Sequence, residues 1–180
     1  MKNKCVVLLG PEQLELRDVE LKPLKPDEIR VKNEYSCISA GTERANIVDM
    51  PNTVHKFNRA FGYNSVGIII DKGDEVKDFE VGERVLCFFA GGHRLYTTGK
   101  AKNFCKVPDG VDPKDAALVI VGGFGIEGAR MTRCEIGESG MVVGCGLLGL
   151  FALQSLRNMG AIPVIAIDFN EDRLQIAREL

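Results

Sequence analysis

Met141–Gly149 reads MVVGCGLLG. A short apolar run passes directly into Gly144-x-Gly146-x-x-Gly149, and Leu147 to about Met159 carries a helical pattern with Gly160 as a C-terminal stop. Ile162–Ile167 reads as a second strand, with Pro163 near its start, where a missing N–H is best tolerated, and Asp168 closing it. The glycine spacing alone is a weak signal in a chain with 20 glycines in 180 residues. Its setting is stronger. A strand precedes it, a helix opens from it, and an acid stands 19 residues beyond Gly149 at the end of the next strand. That combination predicts a β-α-β dinucleotide-binding unit.

Each position has a physical task. Gly144 permits the tight strand-to-helix turn, Gly146 leaves room for a pyrophosphate against the backbone, and Gly149 lets the helix pack on the strand. The first helical residues, Leu147, Leu148 and Gly149, present unpaired N–H groups and partial positive charge to phosphates. Asp168 is placed to accept hydrogen bonds from ribose hydroxyls and would repel a 2′-phosphate, so NAD is expected over NADP. The competing reading is a glycine turn between strand and helix with no ligand.

Working outward, residues 1–111 have a different grammar. Short apolar runs at Cys5–Leu9, Ile29–Val31, Val66–Ile70, Arg84–Phe89 and Phe104–Val107 are separated by turn residues such as Lys25-Pro26-Asp27 and Pro108-Asp109-Gly110, the pattern of a small barrel or sandwich. At residue 112 the pattern becomes helical, with Asp112 as N-cap and Pro113 at the first helical position. Gly122, Gly123 and Gly125 are expected to break or bend that helix, with a second piece over Phe124–Cys134. The expected domains are therefore 1–111 and 112–180.

Net charge is −2 with acids and bases interspersed, which gives no footprint for nucleic acid or a membrane surface. No apolar run has the length of a membrane span. The N-terminal apolar stretch, Cys5–Leu9, reads as a first strand rather than a signal peptide. Six cysteines at 5, 37, 87, 105, 134 and 145 form no Cys-x-x-Cys pair and read as buried thiols, which implies a reducing compartment, the cytoplasm.

Five stretches together resemble the medium-chain dehydrogenase/reductase superfamily, the alcohol dehydrogenase-like proteins: CISAGTE (37–43), GYNSVG (62–67), GDEVKDFEVGERV (73–85), VPDGVDPKDAAL (107–118) and GESGMVVGCGLLGL (137–150). The resemblance implies a GroES-like β-barrel followed by the first βαβ part of a Rossmann sheet. It also implies an NAD(H)-dependent oxidoreductase acting on a small alcohol or carbonyl substrate. Zinc-dependent members hold catalytic zinc through a Cys, a His and a later Cys or Asp. Here Ala40 stands at the first Cys and Tyr63-Asn64 at the His-Glu pair, Gly122, Gly123 and Gly125 lie near the third position, and the cysteine-rich structural lobe is replaced. No zinc is expected, since neither Ala nor Gly ligates a metal. The combination of SAGTE with GYNSVG is most similar to a zinc-less branch that includes bacteriochlorophyllide dehydrogenase-like and threonine dehydrogenase-like proteins.

Without a metal, hydrogen-bond donors must polarise the substrate oxygen. The resemblance places Thr42 at the proton-relay position, a Tyr63 phenol near where zinc would sit, Asn64 beside it to orient the carbonyl or Tyr63, and Glu43 as an acid that positions Arg44 or Tyr63. The plainer reading of these four is turn chemistry, with Thr42 capping a helix that starts at Glu43. His55 and His93, the only histidines, read as surface or structural residues, and His93 after Gly91-Gly92 is the better outsider for a general base.

The sequence ends in the helix after the second Rossmann strand, whereas a doubly wound cofactor domain has about six strands. The expectation is an incomplete cofactor domain with uncovered apolar surface, completed by a missing segment or a second chain, and compatible with a homo-oligomer. The alternative is a non-catalytic dinucleotide-binding or interaction protein on the same fold.

Overall fold

The computed structural model describes residues 2–89 and 91–180. They form two compact units, Met1–Leu118 and Val119–Leu180.

The first unit is antiparallel β structure. Strand β1 (Lys2–Gly10) is flanked by β2 (Gln13–Glu20) and β4 (Arg59–Ala60). A five-stranded sheet runs in the order β7 (Tyr96–Lys100), β3 (Glu28–Tyr35), β5 (Asn64–Lys72), β6 (Arg84–Phe88), β8 (Phe104–Lys106). The segment ahead of β7 joins the two sheets. Val6 N–H donates to the His93 carbonyl at 2.8 Å and Leu95 N–H to the Lys4 carbonyl at 2.9 Å. The buried Asn3 amide continues the seam, giving a hydrogen bond to Tyr96 O at 2.7 Å and taking one from its N–H at 2.9 Å. The core is Ile29, Val31, Ile69, Val85, Cys87 and Phe104 from the strands, with Val76 and Phe79 from the β5–β6 connection, and burial of this apolar set drives the sheet to close.

The strands β2 and β7 were not expected. Every residue of β2 is exposed, so the short alternation of Leu14 and Leu16 marks no buried face. The chain crosses from β3 to β5 with irregularities at Arg30/Val31 and Asn33/Tyr35, and bulges of this kind re-aim side chains beside functional sites. Gly67 is required there: an added Cβ would lie 2.1 Å from Lys32 O. Beneath it, Asn33 links Arg94 O, Thr97 Oγ1 and Ser65 Oγ at 2.9–3.1 Å. Burial pushes the adjacent Cys87 thiol up to about 11.

Helix α2 (Pro113–Met131) is continuous, which corrects the expected break at Gly122–Gly125. Asp112 does start it, its Oδ1 accepting from Lys114 N–H at 2.8 Å. Gly122 and Gly125 are contact residues, while Gly123 faces open space. An added Cβ would stand 2.9 Å from the Phe151 ring at Gly122 and 2.6 Å from Leu148 O at Gly125. Close helix packing thus outweighs the loss of helix propensity, about 1 kcal/mol per glycine.

In the second unit, β9 (Gly140–Val143) pairs in parallel with β10 (Val164–Ile167), from Val164 opposite Gly140 to Ile167 opposite Val143. Helices α3 (Leu147–Asn158) and α4 (Glu171–Glu179) complete the β-α-β-α order. One sheet face contributes Val142 and, partly buried, Val164 and Ala166 to a core with Ala129, Cys145, Leu153, Leu156, Ala161 and Ala177. On the other face Met141, Val143, Ile165 and Ile167 are exposed, the uncovered apolar surface that the sequence led one to expect.

Candidate functional site

The β9–α3 turn is built around three glycines with three different constraints. Gly144 has φ of 94°, in the left-handed region that favours glycine. Its N–H donates to Ile167 O at 2.7 Å, so the turn continues the parallel ladder. Gly149 admits no side chain, because a Cβ there would lie 1.8 Å from Gly144 O. Gly146 is the N-cap of α3, has no side-chain cap bond, and has nothing within 4 Å of where its Cβ would be. The open side of the turn therefore lies over Gly146 and the first-turn amides of Leu147, Leu148 and Gly149, which lack intrahelical acceptors. Leu147 and Leu148 are themselves partly exposed.

Asp168 sits where β10 ends and is more engaged than its sequence position implies. Its Oδ2 accepts from Cys145 N–H at 2.7 Å and its Oδ1 from Asn170 N–H at 2.8 Å. Those two amides, Asn170 first, and Arg173, whose Nη1 is 3.7 Å from Oδ2, hold the carboxyl below the usual carboxylate range. Asp168 thus ties the glycine turn to β10 while its remaining lone pairs stay available. The buried Cys145 side chain anchors the same turn in the core.

In the first unit, helix α1 (Ala40–Ile47) begins at Ala40, with Ser39 at the N-cap. Thr42 is therefore not a cap. It lies in the first turn, exposed, with its carbonyl accepting from Asn46 Nδ2 at 2.8 Å. Glu43 is buried on the inner side of that turn, and it positions neither Arg44 nor Tyr63. Its Oε1 accepts from the Ser39 N–H at 3.0 Å, satisfying an amide at the helix start, and its Oε2 lies 2.8 Å from His93 Nε2. His93 Nδ1 is in turn 2.8 Å from Ser36 Oγ. The sequence reading keeps His93 as the outsider for a general base and does not single out Ser36. Fifty residues separate His93 from Glu43, and only the sheet seam brings them together.

Tyr63 and Asn64 occupy the turn into β5 and its first residue. The Tyr63 ring stacks on Phe89, with centroids 5.5 Å apart. Asn64 is fully buried, and among the described residues neither its Oδ1 nor its Nδ2 has a partner. The loop Gly91–His93 lies against this turn. A Cβ at Gly91 would meet Ser65 Oγ at 2.4 Å, and His93 N–H donates to Phe61 O at 3.0 Å. His55 lies apart from these groups, exposed and bonded to Asp49 Oδ1 at 2.7 Å, and Asp49 holds its imidazole above the ordinary range.

Ala40 contributes only a methyl group, and among the described residues no three His, Cys, Asp or Glu side chains are grouped so as to hold a metal ion. The second unit fits a dinucleotide: the Gly146 cradle is open and the N-terminus of α3 is uncapped.

No protein-family model matches the chain. A zinc-type alcohol dehydrogenase-like protein of Escherichia coli, itself uncharacterised, is 24% identical over the whole chain, which spans 61% of that protein. Among solved structures, 2R,3R-butanediol dehydrogenase from Bacillus subtilis superposes with a TM-score of 0.88 at 19% identity, over 98% of this chain and 61% of the other. Galactitol-1-phosphate dehydrogenase from Escherichia coli superposes with a TM-score of 0.86 at 22% identity, over 99% and 59%. The chain is thus similar in sequence to an alcohol dehydrogenase-like protein and shares the fold of these dehydrogenases, a GroES-like β unit followed by the first βαβ part of a Rossmann sheet.

Proposed function

We propose that the chain holds the pyrophosphate and adenosine-ribose part of an NAD(H) site, and the barrel of a zinc-independent oxidoreductase acting on a small alcohol or carbonyl. The observation that carries this reading is the β9–α3 turn. Gly149 is sterically obligatory while Gly146 faces open space at an uncapped helix start, the arrangement that accepts phosphate. A bound nicotinamide would supply the hydride chemistry. The Leu147, Leu148 and Gly149 amides bind the diphosphate. Asp168 turns its free lone pairs to the ribose hydroxyls, and its charge favours NAD over NADP.

In the barrel, Tyr63 donates a hydrogen bond to the substrate oxygen, Asn64 orients that oxygen, and Thr42 passes protons. The donor set around Ala40 supports catalysis without zinc, although the Escherichia coli relative is named as zinc-type. The exposed sheet face supports completion of the Rossmann unit by a further segment or by a second chain, and the thiols support a cytoplasmic setting. Because the chain spans 61% of that relative, a second reading is a dinucleotide-binding module without catalysis.

Titration calorimetry with NAD and NADP on this chain, with metal analysis of the same sample, tests the proposal. Saturable binding that prefers NAD supports it. Absence of binding to either nucleotide overturns the cofactor site, and stoichiometric zinc overturns the metal-free barrel.

A further inference from the structure

One arrangement in the barrel unit is not used by this reading. Ser36 Oγ, the His93 ring and the Glu43 carboxylate form an unbroken chain with both links at 2.8 Å. The Glu43 and His93 side chains are 7% and 15% exposed, so water competes weakly for either link. Glu43 accepts at both oxygens, from Ser39 N–H and from the imidazole. The hydrogen-bond network therefore assigns the imidazole proton to Nε2 and leaves Nδ1 to accept from the Ser36 hydroxyl. The ring is also held in place. Gly62 has φ of 80°, and a Cβ there would be 2.9 Å from His93 Cδ2. The Phe61 ring, with its centroid 6.3 Å away, lies on a further side. The groups that face the imidazole are Glu43 from α1, Ser36 from the end of β3, and the Phe61–Gly62 turn. The one further thiol nearby, Cys37, is buried and raised by that burial and by the Glu43 charge, so it stays protonated.

We propose that Ser36, His93 and Glu43 form a proton relay in the barrel unit, with the Ser36 hydroxyl exchanging the proton of an alcohol or carbonyl oxygen. His93 and Glu43 are positioning residues that act through Ser36. The role as a relay for hydride transfer rests on the oxidoreductase reading above. In alcohol oxidation the hydride on the carbinol carbon would pass to a bound nicotinamide, the carbonyl forms, and the substrate O–H bond breaks with its proton bonding to Ser36 Oγ. The Ser36 proton moves to His93 Nδ1, and the imidazolium is held by Glu43 through Nε2–H. Carbonyl reduction runs these transfers in reverse. A base within hydrogen-bond reach of a hydroxyl and itself oriented by an acid is an arrangement that activates a serine oxygen at neutral pH.

The test needs neither nucleotide nor substrate. A small alkyl fluorophosphonate is incubated with the 180-residue chain, and adducts are located by peptide mass spectrometry. At an activated Ser36 the Oγ–P bond forms, the P–F bond breaks, the proton goes to His93 Nδ1 and fluoride leaves. The expected result is labelling at Ser36 in preference to Ser39. The rate should fall at least about tenfold in His93→Gln, as for loss of a general base, and its pH midpoint should shift in Glu43→Gln. No adduct at Ser36, or a rate unchanged by His93→Gln, overturns the relay. If His93→Gln does not fold, labelling of the wild type is compared with the His93 titration followed by NMR on the same sample, and non-coincident midpoints overturn it. Failure of NAD binding with Ser36 labelled removes the oxidoreductase role alone. NAD binding with Ser36 inert removes the relay alone.

Discussion

Two single-methyl additions in the glycine turn separate folding from binding. At Gly149 an added Cβ would lie 1.8 Å from Gly144 O, more than 1 Å inside ordinary contact. Relief requires moving the backbone of the turn or of the α3 start. Overpacking of that kind costs about 1–3 kcal/mol, against a gain of up to about 1 kcal/mol for alanine over glycine in a helix. Gly149→Ala is therefore expected to lower the stability of the second unit. Gly146 is the opposite case. Its φ of −76° and ψ of −173° suit alanine, and its Cβ would meet nothing within 4 Å. Restricting the unfolded chain then stabilises by about 0.4–1 kcal/mol, yet the methyl group occupies the space assigned to the diphosphate. Loss of one charge-assisted hydrogen bond, about 1.5–3 kcal/mol, corresponds to weakening NAD binding by roughly 10- to 150-fold. Thermal unfolding and calorimetry on the same samples read both quantities. Gly146→Ala binding NAD as tightly as the wild type would refute the placement of the phosphates over this turn.

Asp168→Asn should narrow the stability difference from wild type as pH falls. The folded carboxyl lies below its ordinary range, so its contribution is complete above the unfolded value of about 3.9 and is lost as pH drops through the folded one; urea midpoints between pH 3 and 7 measure this, and a pH-independent difference would contradict it. Asn64→Leu removes two buried atoms that lack partners among the described residues. It should raise stability by about 1–3 kcal/mol in urea unfolding while lowering any turnover that needs the amide, and a loss of stability would show that the amide is satisfied in the native protein.

The β-α-β unit was legible because its signals are local. Gly144-x-Gly146-x-x-Gly149, the helical run behind it and Asp168 act within 30 residues, and the structure sets them on one turn. The barrel was legible as many short strands, but not as a topology: β2 has no buried face, and the seam of β1 with the segment ahead of β7 joins residues about 90 apart. Gly122 and Gly125 misled because propensity is a local property, whereas the Phe151 ring and the Leu148 carbonyl that need their space are brought in by packing. At the barrel site the types Thr42, Glu43, Tyr63 and Asn64 could be named, but not their partners. Glu43 turned out to face His93, and Thr42 to face solvent.

What the chain determines by itself is therefore the set of constraints carried by single residues and short spacings: which turns need glycine and where an acid follows a strand. What only the tertiary structure decides is which distant polar groups share a desolvated space. Ser36, Glu43 and His93 each look ordinary in sequence. They become one hydrogen-bonded chain because closing the two sheets buries the carboxylate and leaves the imidazole as its partner. A buried charge without such a partner would be costly enough to select against that packing.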